Sequence, residues 1–186
     1  MAITKIHPIK STLNLAIKYI TNKDKTDEKI LVSTLNCHEE TAHFQFQNTR
    51  NYYNTNGTVL VRHLIQSFLP DELTPELAHE IGKKLCDKLL KDNYEYMLTT
   101  HIDRGHIHNH ILFNNVSFKT GKCYQSNKRT YHNIRNISDE LCKENNLIVI
   151  DEFYEKYKKL RTKGQSYIQY LENKKAHHGN QNYNLT

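Results

Sequence analysis

Three consecutive pieces of the chain decide the fold: YEYMLTTH (Tyr94–His101), IDRG (Ile102–Gly105) and HIHNHILFNNV (His106–Val116). The first and third have the alternation and β-branched or aromatic content of strands, and a short polar link with a glycine joins them, so an antiparallel hairpin is expected. Residues i, i+2 and i+4 of a strand share a face, which projects His106, His108 and His110 together. The link returns His101 to that face, opposite His106 if the turn is tight and opposite His108 if it is two residues longer. Three imidazoles can then converge, with Asp103 at their rim. Imidazole is the commonest protein ligand for transition metals, and three protein ligands leave positions open for a substrate. The competing reading is a stack of surface imidazoles. Four histidines and an aspartate within ten residues favour a metal site. His38, His43, His79 and His132 stand alone and are expected at the polar surface.

Working outward, Ala2 to His7 reads as a strand stopped at Pro8. Ser11 is placed to cap a helix to about Thr21 whose buried stripe is Leu13, Ala16, Ile17 and Ile20. Lys29 to Leu35 reads as a strand, Glu39 to Tyr53 as a polar helix or loop, and Thr58 to Phe68 as a central strand. Thr74-Pro75-Glu76 gives a cap, a proline at the first helical position and an acid in the first turn. That helix is expected to reach about Lys91, burying Leu77, Ile81, Leu85, Leu89 and Cys86. A helix from about Thr130 to Glu144, a short strand Leu147–Ile150, a charged helix over 151–172 and a disordered tail follow. The mixed order, with a hairpin at its centre, predicts an α+β fold: a central antiparallel sheet covered by helices. Residues 1–172 form one domain in this reading, and 173–186 a polar tail or linker.

A chain of 186 residues with 37% hydrophobic and 25% charged residues suits one domain with a real core. It has no apolar run long enough to span a membrane and no secretory signal pattern, so a cytoplasmic protein with four free thiols is expected. Residues 1–100 hold 12 basic and 12 acidic residues, which puts the whole net charge of +6 in 101–186. No acidic residue lies between positions 104 and 138, where Lys119, Lys122, Lys128, Arg129 and Arg135 occur. Such a one-sided basic surface suits a phosphate backbone.

The histidine hairpin resembles the metal-binding motif of conjugative and mobilisation relaxases, the His-hydrophobe-His single-strand endonucleases that nick transfer origins. Ala16-Ile-Lys-Tyr19-Ile-Thr-Asn-Lys-Asp-Lys25-Thr26 is similar to that family's first motif, where a catalytic tyrosine follows a strand. His63-Leu-Ile-Gln-Ser67-Phe68-Leu-Pro70-Asp-Glu72-Leu-Thr-Pro75-Glu-Leu-Ala78 is similar to its middle segment. The likeness covers about residues 1–150 in the expected order, and implies a sandwich of the relaxase and rolling-circle-initiator kind. The family's ligand spacing (His, six residues, His, one residue, His) implies His101, His108 and His110 as metal ligands. His106 is then a reserve ligand or a residue behind the ligands. The departure is Asn109, which stands where the family has a hydrophobe.

The resemblance implies Tyr19 as nucleophile. Tyr19 lies about 110° from the centre of the first helix's apolar stripe, at the edge of the buried face. A phenol attacks phosphorus well at neutral pH only where a base or cation favours the phenolate. The implied reaction is metal-assisted in-line transesterification, leaving a 5′-phosphotyrosine that can later be reversed to rejoin the strand. Asp103 is implied as the group that accepts the tyrosyl proton or orients a histidine. Mn²⁺ or Mg²⁺ is the implied ion, with Zn²⁺, Co²⁺ or Ni²⁺ compatible with three imidazoles. The partners are single-stranded DNA at a transfer origin, and relaxosome and coupling proteins reached through a longer C-terminal part. Lys122, Lys128 and Arg129 are candidates for phosphates, and Tyr124 and Tyr131, with Tyr52 and Tyr53, for base stacking. The alternatives are a rolling-circle replication initiator, in which the tyrosine follows the hairpin, and a non-catalytic metal- or DNA-binding module. An HNH nuclease is disfavoured, because here the histidines share one strand.

Overall fold

The structure is a computed structural model and describes residues 2–26, 31–102 and 105–149. The chain divides into two compact units, Met1–Leu147 and Ile148–Thr186. The expected helix over 151–172 and tail over 173–186 lie outside the described residues, as does Asp103.

Among its described residues the first unit has a five-stranded antiparallel sheet and four α-helices. Strands β1 (Ala2–Ile9), β2 (Val32–Leu35), β3 (Val61–Phe68), β4 (Tyr96–His101) and β5 (His108–Asn114) are ordered β1-β3-β5-β4-β2. Helices α1 (Leu13–Ile20) and α2 (Ala42–Tyr52) cover one face, which we call the front. Leu13 and Ile20 of α1 join Ala42 and Phe46 of α2 in a buried cluster with Val61, Met97 and Leu112. Helices α3 (Pro75–Leu90) and α4 (Lys128–Glu144) cover the back. Covered on both faces, β4 and β5 are buried almost throughout, while edge strand β1 alternates.

Most boundaries fall near the expected ones, and the differences have local causes. Strand β1 runs through Pro8 to Ile9, because an edge strand tolerates a residue without an N–H. Thr12, not Ser11, precedes α1, without a side-chain cap bond. Thr74 caps α3 as expected, its Oγ1 accepting from the Leu77 N–H at 3.3 Å, and Lys91 closes the helix in the left-handed region. The buried face of α3 is rotated from the expected stripe: Ala78, Gly82 and Leu90 are buried with Ile81, Leu85 and Cys86, whereas Leu77 and Leu89 are half-buried. Asn127 and Thr130 form a capping box that starts α4 two residues early. Leu147–Val149 form no strand. The four cysteines are free thiols.

Candidate active site

The hairpin register settles the link length left open by strand parity: His101 pairs with His108 and Thr99 with His110. The link therefore spans 102–107. His106 lies in it, off the strand, and Gly105 supplies the left-handed residue the turn needs (φ 68°). Met97 and Leu112, which share the face of His101, His108 and His110, belong to the front cluster, so the three histidines lie on the front face.

Each of the three bonds to protein through a ring nitrogen. His101 Nε2 donates to the Ile20 carbonyl at 2.9 Å, at the end of α1. His108 Nδ1 meets Ser67 Oγ at 2.8 Å, and His110 Nδ1 meets His63 Nε2 at 2.9 Å. Metal-ligating imidazoles are commonly oriented by such a bond. The ring centres of His101 and His110 are 4.2 Å apart and those of His108 and His110 6.2 Å. Two imidazoles on one ion, at bonds of about 2.0–2.1 Å, bring their ring centres to about 5 Å. Among the described residues no three such side chains stand in coordinating geometry as they are. As donor chemistry, three imidazoles on one face fit a divalent ion. Burial, then the neighbouring His101 and His63, push His110 down to about 2; burial, then His7 and His101, push His63 down to about 4. Both rings are neutral at pH 7, as ligation requires.

Tyr19, in the last turn of α1, overhangs this cluster. Its ring centre is 5.6 Å from that of His101 and 5.7 Å from that of His110, and 47% of the residue stays exposed. Lys25 Nζ sits 4.7 Å over the Tyr19 ring, and the Lys25 carbonyl accepts from the Ile102 N–H at 3.0 Å, tying this turn to the histidine link. Composition gave no reason to single out Lys25; only its place in the first motif could have.

Asn109, the departure from the family's hydrophobe, faces the back. It anchors a chain of hydrogen bonds that is buried from His79 inward: Ser33 Oγ to His79 Nε2 (2.7 Å), His79 Nδ1 to Thr100 Oγ1 (2.8 Å), and Thr100 Oγ1 to Asn109 Oδ1 (2.7 Å). Asn109 Nδ2 donates to Gln66 Oε1 (3.0 Å) and the Ala78 carbonyl (2.6 Å), and Gln66 Nε2 to Ser138 Oγ (2.8 Å). The expectation of a surface His79 is thus wrong, since it is 7% exposed inside this chain. His63, also buried, is a site residue that the sequence named only as part of a motif.

The nucleic-acid candidates are not gathered at the histidines. Tyr124 is buried against Phe113 and Tyr94, with ring centres 4.9 and 5.8 Å away, and offers no face for a base. It and Lys122 lie in the loop after β5, about 20 Å along that strand from His108. Tyr53 is tied there as well, through Phe118. Lys119 is paired with Asp92 at 2.6 Å. Lys128 and Arg129 are exposed at the start of α4, in the back layer, and Tyr131 is 40% exposed with its hydroxyl donating to the Thr4 carbonyl at 3.4 Å. A groove of about 380 Å³ does adjoin the site, between Ile3, Ser67, Pro70, His106 and His108.

The fold of this sheet and its helices is similar to that of a solved structure described as "Molecular Basis of Vancomycin Resistance Transfer in Staphylococcus aureus". The match has a TM-score of 0.54 at 15% identity and covers 80% of this chain and 96% of that one. The family model of the MobA/VirD2-like relaxase nuclease domain matches residues 19–147, and the chain belongs to that family. It is 38% identical over 152 residues to one Staphylococcus aureus "Protein rlx" and 40% over 149 residues to another, covering 82% and 80% of this chain. The "Group II intron-interrupted relaxase LtrB" of Lactococcus lactis subsp. cremoris is 53% identical over 68 residues, 36% of this chain and 12% of that protein. The chain spans 44% of the length of each of those two staphylococcal relatives. Among the described residues no helix is long and apolar enough to cross a membrane.

Proposed function

We propose that this domain is a DNA relaxase that nicks one strand at a transfer origin by transesterification, with Tyr19 as nucleophile and His101, His108 and His110 as ligands of a divalent ion, Mn²⁺ or Mg²⁺ first. The observation that carries this reading is the Tyr19 ring against both His101 and His110, with Lys25 over the same ring. A bound ion would supply Lewis-acid polarisation of the scissile phosphate. The rest is work for the chain. Lys25, with Nζ 4.7 Å from the Tyr19 ring centre, holds that ring by a cation–π contact, and the tyrosyl proton leaves as the oxygen attacks. Asp103, in the link, is assigned to accept that proton or to orient a histidine. Tyr19 Oη forms a bond to phosphorus as the bond to the 3′ oxygen breaks; that oxygen leaves as a 3′-hydroxyl, and the 5′ end stays on Tyr19. One phosphodiester replaces another, so the released strand end can attack in reverse and rejoin.

The strand enters along the groove beside His106, and Lys128, Arg129 and Tyr131 are left for DNA farther from the cut. Residues 1–172 are taken as the catalytic domain of a cytoplasmic protein whose further C-terminal part meets relaxosome and coupling proteins. Denaturing electrophoresis tests the reading, with single-stranded oligonucleotides from DNA flanking the coding sequence. A heat-stable protein–DNA adduct should form with Mn²⁺, vanish with chelator and be absent in Tyr19→Phe. Nicking without an adduct would make water the nucleophile and sink the proposal.

A further inference from the structure

We propose that His63 is a positioning residue: it accepts the Nδ1 proton of His110, locking that ring in the tautomer and orientation that offer Nε2 to the ion. The inference rests on the metal reading above and deepens it. His63 and His110 are both buried, at 7% and 6% exposed, and their Nε2 and Nδ1 atoms are 2.9 Å apart. The β3–β5 register pairs His63 with Leu112 and Ile65 with His110, so the two histidines are diagonal neighbours on the front face, within reach across strands.

In a hydrogen bond between two neutral imidazoles one nitrogen brings the proton and the other the lone pair. If His63 donated, the His110 proton would sit on Nε2 and block coordination there. If His110 donates, both rings are fixed at once, each with its proton on Nδ1. His7, the cross-strand partner of His63, meets it nearly edge-on at 4.7 Å between ring centres and stops it turning away. A ligand histidine is more often braced by a carboxylate, a carbonyl or water. A neutral imidazole in that place adds no negative charge beneath the ion, and leaves the ion's full charge to attract a phosphodiester.

The test compares wild type, His63→Gln and His63→Leu as the whole chain, reading Co²⁺ and Mn²⁺ affinity by calorimetry and the Co²⁺ visible spectrum. Glutamine Oε1 can still accept, so His63→Gln should stay within about threefold of wild type, whereas His63→Leu should bind about 10- to 100-fold more weakly. Long-range ¹H–¹⁵N spectra of the metal-free wild type should show the His110 proton on Nδ1. They decide the matter even where His63→Leu does not fold. Wild-type affinity and spectrum in a folded His63→Leu, or a His110 proton on Nε2, would overturn the assignment and leave the metal reading standing. Failure of wild type to bind either ion would bring both down together.

Discussion

On β5, His108 and His110 face one side of the sheet and Asn109 the other, and the two sides treat buried polarity in different ways. Behind the strand, the chain from Ser33 through His79, Thr100, Asn109 and Gln66 to Ser138 matches donor with acceptor at every step and ties β2, α3, β4, β5, β3 and α4 together. In front, Ile20, Ser67 and His63 each engage one nitrogen of a histidine. A closed network fixes the backbone. The front bonds fix how the three rings are oriented. Strand parity makes both possible, because adjacent residues of the same three-residue run serve opposite purposes.

Breaking each face should therefore have a different signature. The largest effect is expected for His108→Ala, which should lower adduct formation by on the order of 10³-fold or more, with little change in thermal stability. Asn109→Leu should do the reverse. It strands Gln66, Thr100 and the Ala78 carbonyl, and should cost about 3 kcal/mol in chemical unfolding, roughly a hundredfold in the folding equilibrium. Gly82→Ala sharpens the point, since an added Cβ would lie 2.7 Å from Asn109 Nδ2 and 3.0 Å from Leu98 Cδ1. The expected loss is about 1–2 kcal/mol, measured the same way.

Acid should act on the back network more gently. Burial first, then Lys83, hold His79 below its ordinary value of 6.5, so the unfolded chain takes up this proton before the folded one does. Stability from this group is complete above about pH 6.5 and declines as pH falls below it. Thermal melts of metal-free protein from pH 7.5 to 5.5 should show that decline, shallower in His79→Gln. An equal slope in the two would mean that other histidines carry it. The smallest effect is expected for Lys122→Ala, at the far end of β5: less than about a twofold change in oligonucleotide affinity at fixed salt. A larger loss would move the DNA path to that end.

The hairpin, its antiparallel pairing and the helices around it were legible because period two and period 3.6 are written locally. The length of the link was not: alternation through His106-Ile107-His108 looks like strand, and only pairing with β4 shows that the ladder begins at His108. The place of Tyr19 on the helix edge was legible from the helix period, and its ring lies beside His101 and His110. His63 and His79 were not, since a lone histidine reads alike whether it faces water, core or site. What separates the cases is contact across 47 residues to His110 and 21 to Thr100. Tyr124 misled for the opposite reason. Basic neighbours suggested a stacking surface, but the bridge from Val116 to Cys123 folds the loop back and carries the ring under Phe113.

The bond from His101 to the Ile20 carbonyl, with that from the Ile102 N–H to the Lys25 carbonyl, fastens residues 20–25 to residues 101–102 at two points. The last turn of α1 and the end of β4 thereby become one opening unit in native-state hydrogen exchange. Tyr19 cannot swing out by fraying its helix without giving up the bond that aligns His101. The arm and the anvil separate only when both let go, so the protection of this corner measures how long the site stays assembled.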